Sequence, residues 1–289
     1  MLEAAQRAVE SIVGPVQGLE IVARGYTHNL RAIATLEDGR SVFVKQAVDD
    51  TTALWLRQEH ELYAALGPRT WLPSVTGFLD GETPLLVLED LTDATWPPPW
   101  DTAQIDAVLG TLAEVADAPR PAGLPCLADG EAPDDGWGHV LAHPDRFLSL
   151  GLCRAAWLDG AGPVLAAAAT AAPLAGNSLL HCDVRSDNLC FRPGRSGSVL
   201  FDWNLASVGN PQFDVAFWLP SLAAEGGARP EDVMPECPAA LAAYVSGFFA
   251  SRAGEPTIAH APLVRQVQRH QLRTALPWAT RLLGLAPPH

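Results

Sequence analysis

At 289 residues the chain can bury a sizeable core without disulfides or metals, and at about 150 residues per domain it suggests two domains or one bilobal one. Hydrophobic residues make up 48% and charged residues 18%, a globular balance that excludes a disordered chain. Asp and Glu outnumber Lys and Arg 33 to 19, for a formal charge of −14, which argues against a nucleic-acid partner, since holding a phosphate backbone needs an excess of bases.

The N-terminal stretch, with Glu3 and Glu10, lacks a basic run ahead of an apolar one, so no secretory signal is expected. The first ninety residues read as strands with one helix. Strands are expected over Arg31–Leu36 and Ser41–Ala47, joined by Glu37-Asp38-Gly39-Arg40, whose Asp-Gly pair signals a hairpin. In the second strand Val42 and Val44 face one side, and Phe43, Lys45 and Ala47 the other. A helix follows from the cap candidates Asp50-Thr51-Thr52 to about Leu66, where Gly67-Pro68 stops it. Pro84–Leu88 reads as a short buried strand. Trp96-Pro97-Pro98-Pro99-Trp100 is rigid punctuation.

Beyond it the pattern turns helical, over about 101–117, 144–158, 161–172, 238–252 and 259–284, with a break expected at Pro277. Residues 119–143 read as irregular. The longest apolar stretch, Ala161 to Ala175, is interrupted by Pro163 and Pro173 and falls short of the ~18 uninterrupted residues of a membrane span. Five scattered cysteines with no C-x-x-C pair fit reduced thiols, and hence a soluble cytoplasmic protein, as monomer or homodimer.

The densest polar cluster in apolar surroundings is Leu179-Leu180-His181-Cys182-Asp183-Val184-Arg185-Ser186-Asp187-Asn188-Leu189, followed by Leu200-Phe201-Asp202-Trp203. Each segment places an acid where an apolar strand ends. Asn188 and Asp202 offer the hard oxygens that suit Mg²⁺, and Asp183 can accept a proton from a hydroxyl nucleophile. A zinc site of His181, Cys182 and Cys190 lacks metal-type spacing.

H-C-D-V-R-S-D-N followed by F-D-W resembles the catalytic loop and metal-binding Asp of kinase-like phosphotransferases, and within them the aminoglycoside phosphotransferase and choline kinase group. The resemblance implies Asp183 as catalytic base, Asn188 and Asp202 as Mg²⁺ ligands, His181 as a loop support and Asp214 as its brace. It implies ATP, with GTP left open, and a small-molecule alcohol as acceptor, with neither nucleic acid nor membrane as partner. The fold implied is α+β, two-lobed and protein-kinase-like, with a small sheet-plus-helix lobe over 1–91 and a larger, mainly helical one over 92–289.

Kinase-like folds need a strand Lys on the phosphates, held by a helix acid, and Lys45 is the strand Lys. On the next helix Trp55, Glu59, Leu62 and Leu66 share one face, so helical phase selects Glu59 over Glu61 as its partner; Glu61 falls beside Arg57. Phe43 either stacks on the adenine or is plain core. The backbone from Glu89 to Leu91 resembles the hinge that meets the base. The loop Gly25–Asn29, with Thr27 as its phosphate contact, has one glycine and no G-x-G-x-x-G. Arg185 either offsets charge near the transferred phosphoryl group or is a surface residue. Trp203, in place of the Phe that flips in protein kinases, suggests a fixed metal site. The contrasting reading is a pseudokinase that binds nucleotide without transfer.

Overall fold

The computed structural model describes residues 2–22, 29–129, 136–258 and 261–288. In chain order these form α1 (Leu2–Val13), β1 (Val16–Ile21), β2 (Leu30–Leu36), β3 (Ser41–Gln46), α2 (Asp50–Leu66), β4 (Val75–Leu79) and β5 (Leu85–Glu89). There follow α3 (Thr102–Ala116), α4 (Trp137–Ala142), α5 (Pro144–Leu148), α6 (Ala155–Thr170), β6 (Ser178–Leu180), β7 (Leu189–Cys190) and β8 (Val199–Leu200). A 3₁₀ turn at Trp203–Leu205 leads to β9 (Ser207–Gly209), α7 (Gln212–Ala224), α8 (Pro230–Val233), α9 (Ala239–Ala253) and α10 (Val264–Leu282). No described helix is long and apolar enough to cross a membrane. The chain divides into two compact units: one runs through Pro97 and takes in Asp187–Leu205, and the other holds Pro98–Ser186 and the residues from Ala206 onward.

The first unit is built on an antiparallel sheet in the order β1-β2-β3-β5-β4. Its strands alternate. Val42 and Val44 enter an apolar cluster with Val9, Val16, Ala34, Leu36, Leu85 and Val87, which leaves Phe43 and Lys45 to the opposite face. Ala8, Val9 and Ile12 bring α1 onto that cluster. This helix corrects the expectation of one helix in the first ninety residues, and its i, i+4 apolar spacing (Ala5, Val9, Val13) was there to be read. The expected cap of α2 moves by one residue: Asp49 is the N-cap, in a reciprocal capping box with Thr52, and Gly67 at φ 64° closes the helix.

The β7–β8 ribbon belongs to the same unit, with Leu189 opposite Leu200. Leu200 N donates to Trp71 O at 2.9 Å, and Phe191 and Thr95 exchange two backbone bonds of 2.9 Å. Arg192 donates to Thr70 O at 2.6 Å and Leu72 O at 3.0 Å. These bonds fix the ribbon in its unit.

In the second unit three helical expectations need correction. The stretch 144–158 is broken after Leu148 and resumes at Ala155, because Gly151 takes φ 67°, outside the helical region. The helix expected over 161–172 instead runs Ala155–Thr170 through Pro163. Pro277 likewise lies inside α10 and does not end it; a proline removes one helical bond, a loss that tertiary packing on both sides outweighs here. Within the stretch read as irregular, α4 forms because Trp137 is buried with its Nε1 3.0 Å from Ser246 Oγ and 3.2 Å from Ala243 O. The helix α7, which was not among the expected helices, runs through Pro220 and is buried along most of its length. Gly176 has no room for a Cβ, which would stand 2.3 Å from Gly209 O where β6 and β9 close.

Candidate active site

In the first unit Lys45 projects from β3, opposite Arg31 and Leu86. Its Nζ lies 2.7 Å from Glu59 Oε2 and 2.5 Å from Asp202 Oδ1. Glu59 is 1% exposed on α2; its other oxygen accepts from Tyr63 Oη at 2.9 Å and from the backbone N–H of Asp202 at 3.1 Å. Burial works against the Lys45 charge, but the carboxylates of Asp202 and Glu59 outweigh it and hold the ammonium above its ordinary value. Burial first, then Glu59, pushes the Tyr63 hydroxyl well up, so it stays a donor. Helical phase thus selected the right acid. Glu61 is exposed, and Arg57 pairs with Asp80 at 2.8 Å, a partner that helical spacing did not name.

Asp202 sits at φ 68°, a left-handed conformation that a non-glycine residue adopts at some cost. Its N–H to Glu59 and its carboxylate on Lys45 hold it there. Trp203 is buried, donates Nε1 to Leu200 O at 2.9 Å and packs on Trp71 with ring centroids 5.4 Å apart. In the ribbon Phe201 N donates to Asn188 O at 3.1 Å, so the register places Asn188 and Asp202 at the same end of β7–β8. An amide oxygen and a carboxylate there form a donor set that suits Mg²⁺. Among the described residues no group of three His, Cys, Asp or Glu could hold a metal; an ion here would therefore keep water or phosphate oxygens as its remaining ligands.

Phe43 is half-buried on the Lys45 face, opposite Ile33 and Leu88. Glu89 has its carboxylate on Arg192 and on Ser74 N, the latter at 2.9 Å, so its side chain serves the protein. Leu91 O accepts from Trp96 Nε1 at 3.1 Å and from Ala94 N at 3.0 Å. Thr27 lies outside the described residues. Asp90, next to these, is held below the usual carboxylate range: burial raises it, but hydrogen bonds from Ser41 and Thr92 outweigh that. Arg192 and Trp71 escaped the sequence reading, since neither belongs to a motif.

In the second unit the chain leaves β6 at Leu180. The backbone N–H groups of His181 and Cys182 donate to the two oxygens of Asp214, at 2.7 and 2.8 Å. Asp183 N donates to His181 Nδ1 at 3.2 Å, which requires that nitrogen to be unprotonated. Cys182 bends the chain at φ 63°. Burial raises its thiol well above the ordinary value, so it is no nucleophile. The five cysteines are free. Arg185 lies 3.2 Å from Asp183 Oδ2, a pairing that neither sequence reading of Arg185 contained. Burial raises the Asp214 carboxyl, against the hydrogen bonds from the two N–H groups. Asp214→Asn keeps one acceptor oxygen for two donors; we expect a loss of about 1–3 kcal/mol of stability, read from urea unfolding. No loss would show that the two bonds are not needed.

The first unit thus holds a strand Lys shared between a helix acid and an acid of the F-D-W segment, and the second a braced H-x-D turn that follows a β-strand. Residues 19–256 match the family model described as the phosphotransferase enzyme family. No curated protein matches the sequence. Among solved structures the chain is similar to choline kinase from Streptococcus pneumoniae, at 15% identity and TM-score 0.59, over 94% of this chain and 98% of that one. It is similar to an aminoglycoside phosphotransferase from Alicyclobacillus acidocaldarius, at 16% identity and TM-score 0.55, over 98% and 96%. It is also similar to an amicoumacin kinase solved with AMP-PNP, Ca²⁺ and Ami, at 10% identity and TM-score 0.53, over 94% and 93%. The chain belongs to the phosphotransferase enzyme family. It has the α+β, kinase-like fold of these structures, with a small antiparallel sheet and many helices.

Proposed function

We propose that the protein transfers the γ-phosphoryl group of ATP, or of GTP, to a hydroxyl of a small molecule in a Mg²⁺-dependent reaction. The observation that carries this reading is the buried Lys45, shared at 2.7 and 2.5 Å between Glu59 and Asp202. A desolvated cation so held is preorganised to meet phosphate oxygens, and holding it costs no reorganisation when the reaction begins. Asn188 and Asp202 hold the Mg²⁺, which supplies neutralisation of charge on the phosphoryl oxygens. Asp183 orients the acceptor hydroxyl and takes its proton. Arg185, on the Asp183 carboxylate, keeps that group aligned. Phe43 lies beside the adenine, and the backbone of Glu89 and Leu91 meets the edge of the base. At Leu91 the N–H does so, because its carbonyl already accepts two bonds. Thr27 contacts the phosphates.

The similar structures named for choline, aminoglycoside and amicoumacin support a small alcohol as acceptor and leave its identity open. The test is nucleotide consumption against grouped alcohols: choline-like amines, amino alcohols, aminoglycosides, macrolides and sugars. Turnover with one group, abolished by chelation of Mg²⁺, is the expected result. Silence across the whole panel, together with a nucleotide-induced rise in melting temperature, overturns transfer in favour of a nucleotide-binding pseudokinase.

A further inference from the structure

Glu225 is an odd choice for the place it holds. It is the C-cap of α7, where the helix dipole disfavours a negative charge. Its carboxylate is nevertheless half-buried, and both oxygens accept hydrogen bonds. Oε1 accepts from Ser186 Oγ at 2.6 Å and from Ser221 Oγ at 3.4 Å, and Oε2 accepts from Trp100 Nε1 at 2.8 Å. Trp100 is itself seated against Trp218 of α7, edge to face, with centroids 5.6 Å apart. Ser186 lies three residues after Asp183 and two before Asn188.

The other end of this loop is held by the same helix. Asp214, in the first turn of α7, takes the backbone N–H groups of His181 and Cys182. Eleven residues of helix separate the two acids, about 16 Å. From Cys182 to Ser186 the chain can span at most about 14 Å. The loop is bound to the two ends of one helix, at its head by Asp214 and at its tail by Glu225. Between Cys182 and the ribbon that begins at Leu189, the Ser186–Glu225 bond ties the segment that carries Asp183 to α7.

We infer that Glu225 is a positioning residue: through Ser186, and with Trp100 holding its own carboxylate in place, it sets the course of the segment that presents Asp183. This rests on Asp183 being the base of the proposed transfer. It assigns Glu225 no contact with nucleotide or acceptor. Both of its oxygens already accept from the protein, and its effect on turnover is exerted at one remove.

The experiment compares Ser186→Ala, Ser186→Thr, Glu225→Ala and the Ser186→Ala/Glu225→Ala double variant by two readouts: amide hydrogen exchange over residues 182–188, and steady-state kinetics with the acceptor found in the panel. Exchange over the loop should rise about tenfold or more in Ser186→Ala, the scale of a lost hydrogen bond to a charged group. kcat should fall about tenfold with the nucleotide KM held within about twofold. Ser186→Thr, which keeps the hydroxyl, should restore both. The double variant should be no worse than Glu225→Ala alone, because the two residues act as one unit. Unchanged exchange in both single variants would overturn the brace. Raised exchange with unchanged kcat would overturn its part in catalysis. A raised acceptor KM with unchanged exchange and kcat would mean that Glu225 touches the acceptor, which also overturns it. Should the wild-type chain be silent across the panel, the transfer reading falls, and the exchange data still decide whether Glu225 holds the loop.

Discussion

Replacing Asp183 by Asn should lower turnover about 10²- to 10⁴-fold, the contribution of a positioned general base, while nucleotide binding stays within about twofold. The physical case lies in what the substitution spares. The loop is held through backbone N–H groups, those of His181 and Cys182 on Asp214 and that of Asp183 itself on His181 Nδ1. None of these bonds involves the Asp183 carboxylate. Asn has the same shape, so the loop stays in place. What is lost is a group able to accept a proton, together with the charge that pairs with Arg185 at 3.2 Å. Steady-state rates beside nucleotide titration by melting temperature make the comparison. Undiminished turnover would remove Asp183 from the role of base.

The largest effect on stability is expected at Lys45→Met. The substitution leaves Glu59, 1% exposed, and Asp202 as two carboxylates without the cation they share. Breaking a buried pair by removing one partner costs about 3–5 kcal/mol, because the remaining charge is left uncompensated. Phosphoryl transfer should be lost as well. Since the folded state holds the Lys45 ammonium above its ordinary value, the folded protein keeps that proton to higher pH than the unfolded chain does. The stabilisation is therefore present in full below the unfolded value of about 10.4 and is lost as pH rises through the folded value. Denaturant unfolding from pH 7 to 11 reads both points: the wild type should lose stability toward the alkaline end, and Lys45→Met should start lower and change less. Equal stability of the two proteins at pH 7 would show that the pair contributes nothing net.

The pairing of Lys45 with Glu59 was legible because two short periodicities both constrain it. The strand alternation puts Lys45 on the face opposite Val42 and Val44, and the 3.6-residue period puts Glu59 in line with Leu62 and Leu66. The H-x-D and F-D-W segments were legible because acids at the ends of apolar strands stand out against their surroundings. The ion pair of Arg57 was not legible. Helical spacing names the neighbours on the same helix, but it says nothing of the loop that brings in Asp80. A proline misled at α10, which runs through Pro277 and does not break there. A local rule counts the lost hydrogen bond and cannot count the packing that offsets it.

The sequence alone determined the chemistry: which side chains are charged, which oxygen donors exist and in what order, and which acid shares a face with the apolar residues of its helix. Periods of two and 3.6 residues carry that information over four to a dozen positions. Only the tertiary structure decided the long-range company of those groups. It brought Asp202 to Lys45 across 157 residues, returned Asp187–Leu205 to the unit of the first ninety-seven residues, and set Glu225 on Ser186 and Trp100. Such contacts arise from packing of elements distant in the chain, for which no local period exists, so they become visible only when the chain is folded.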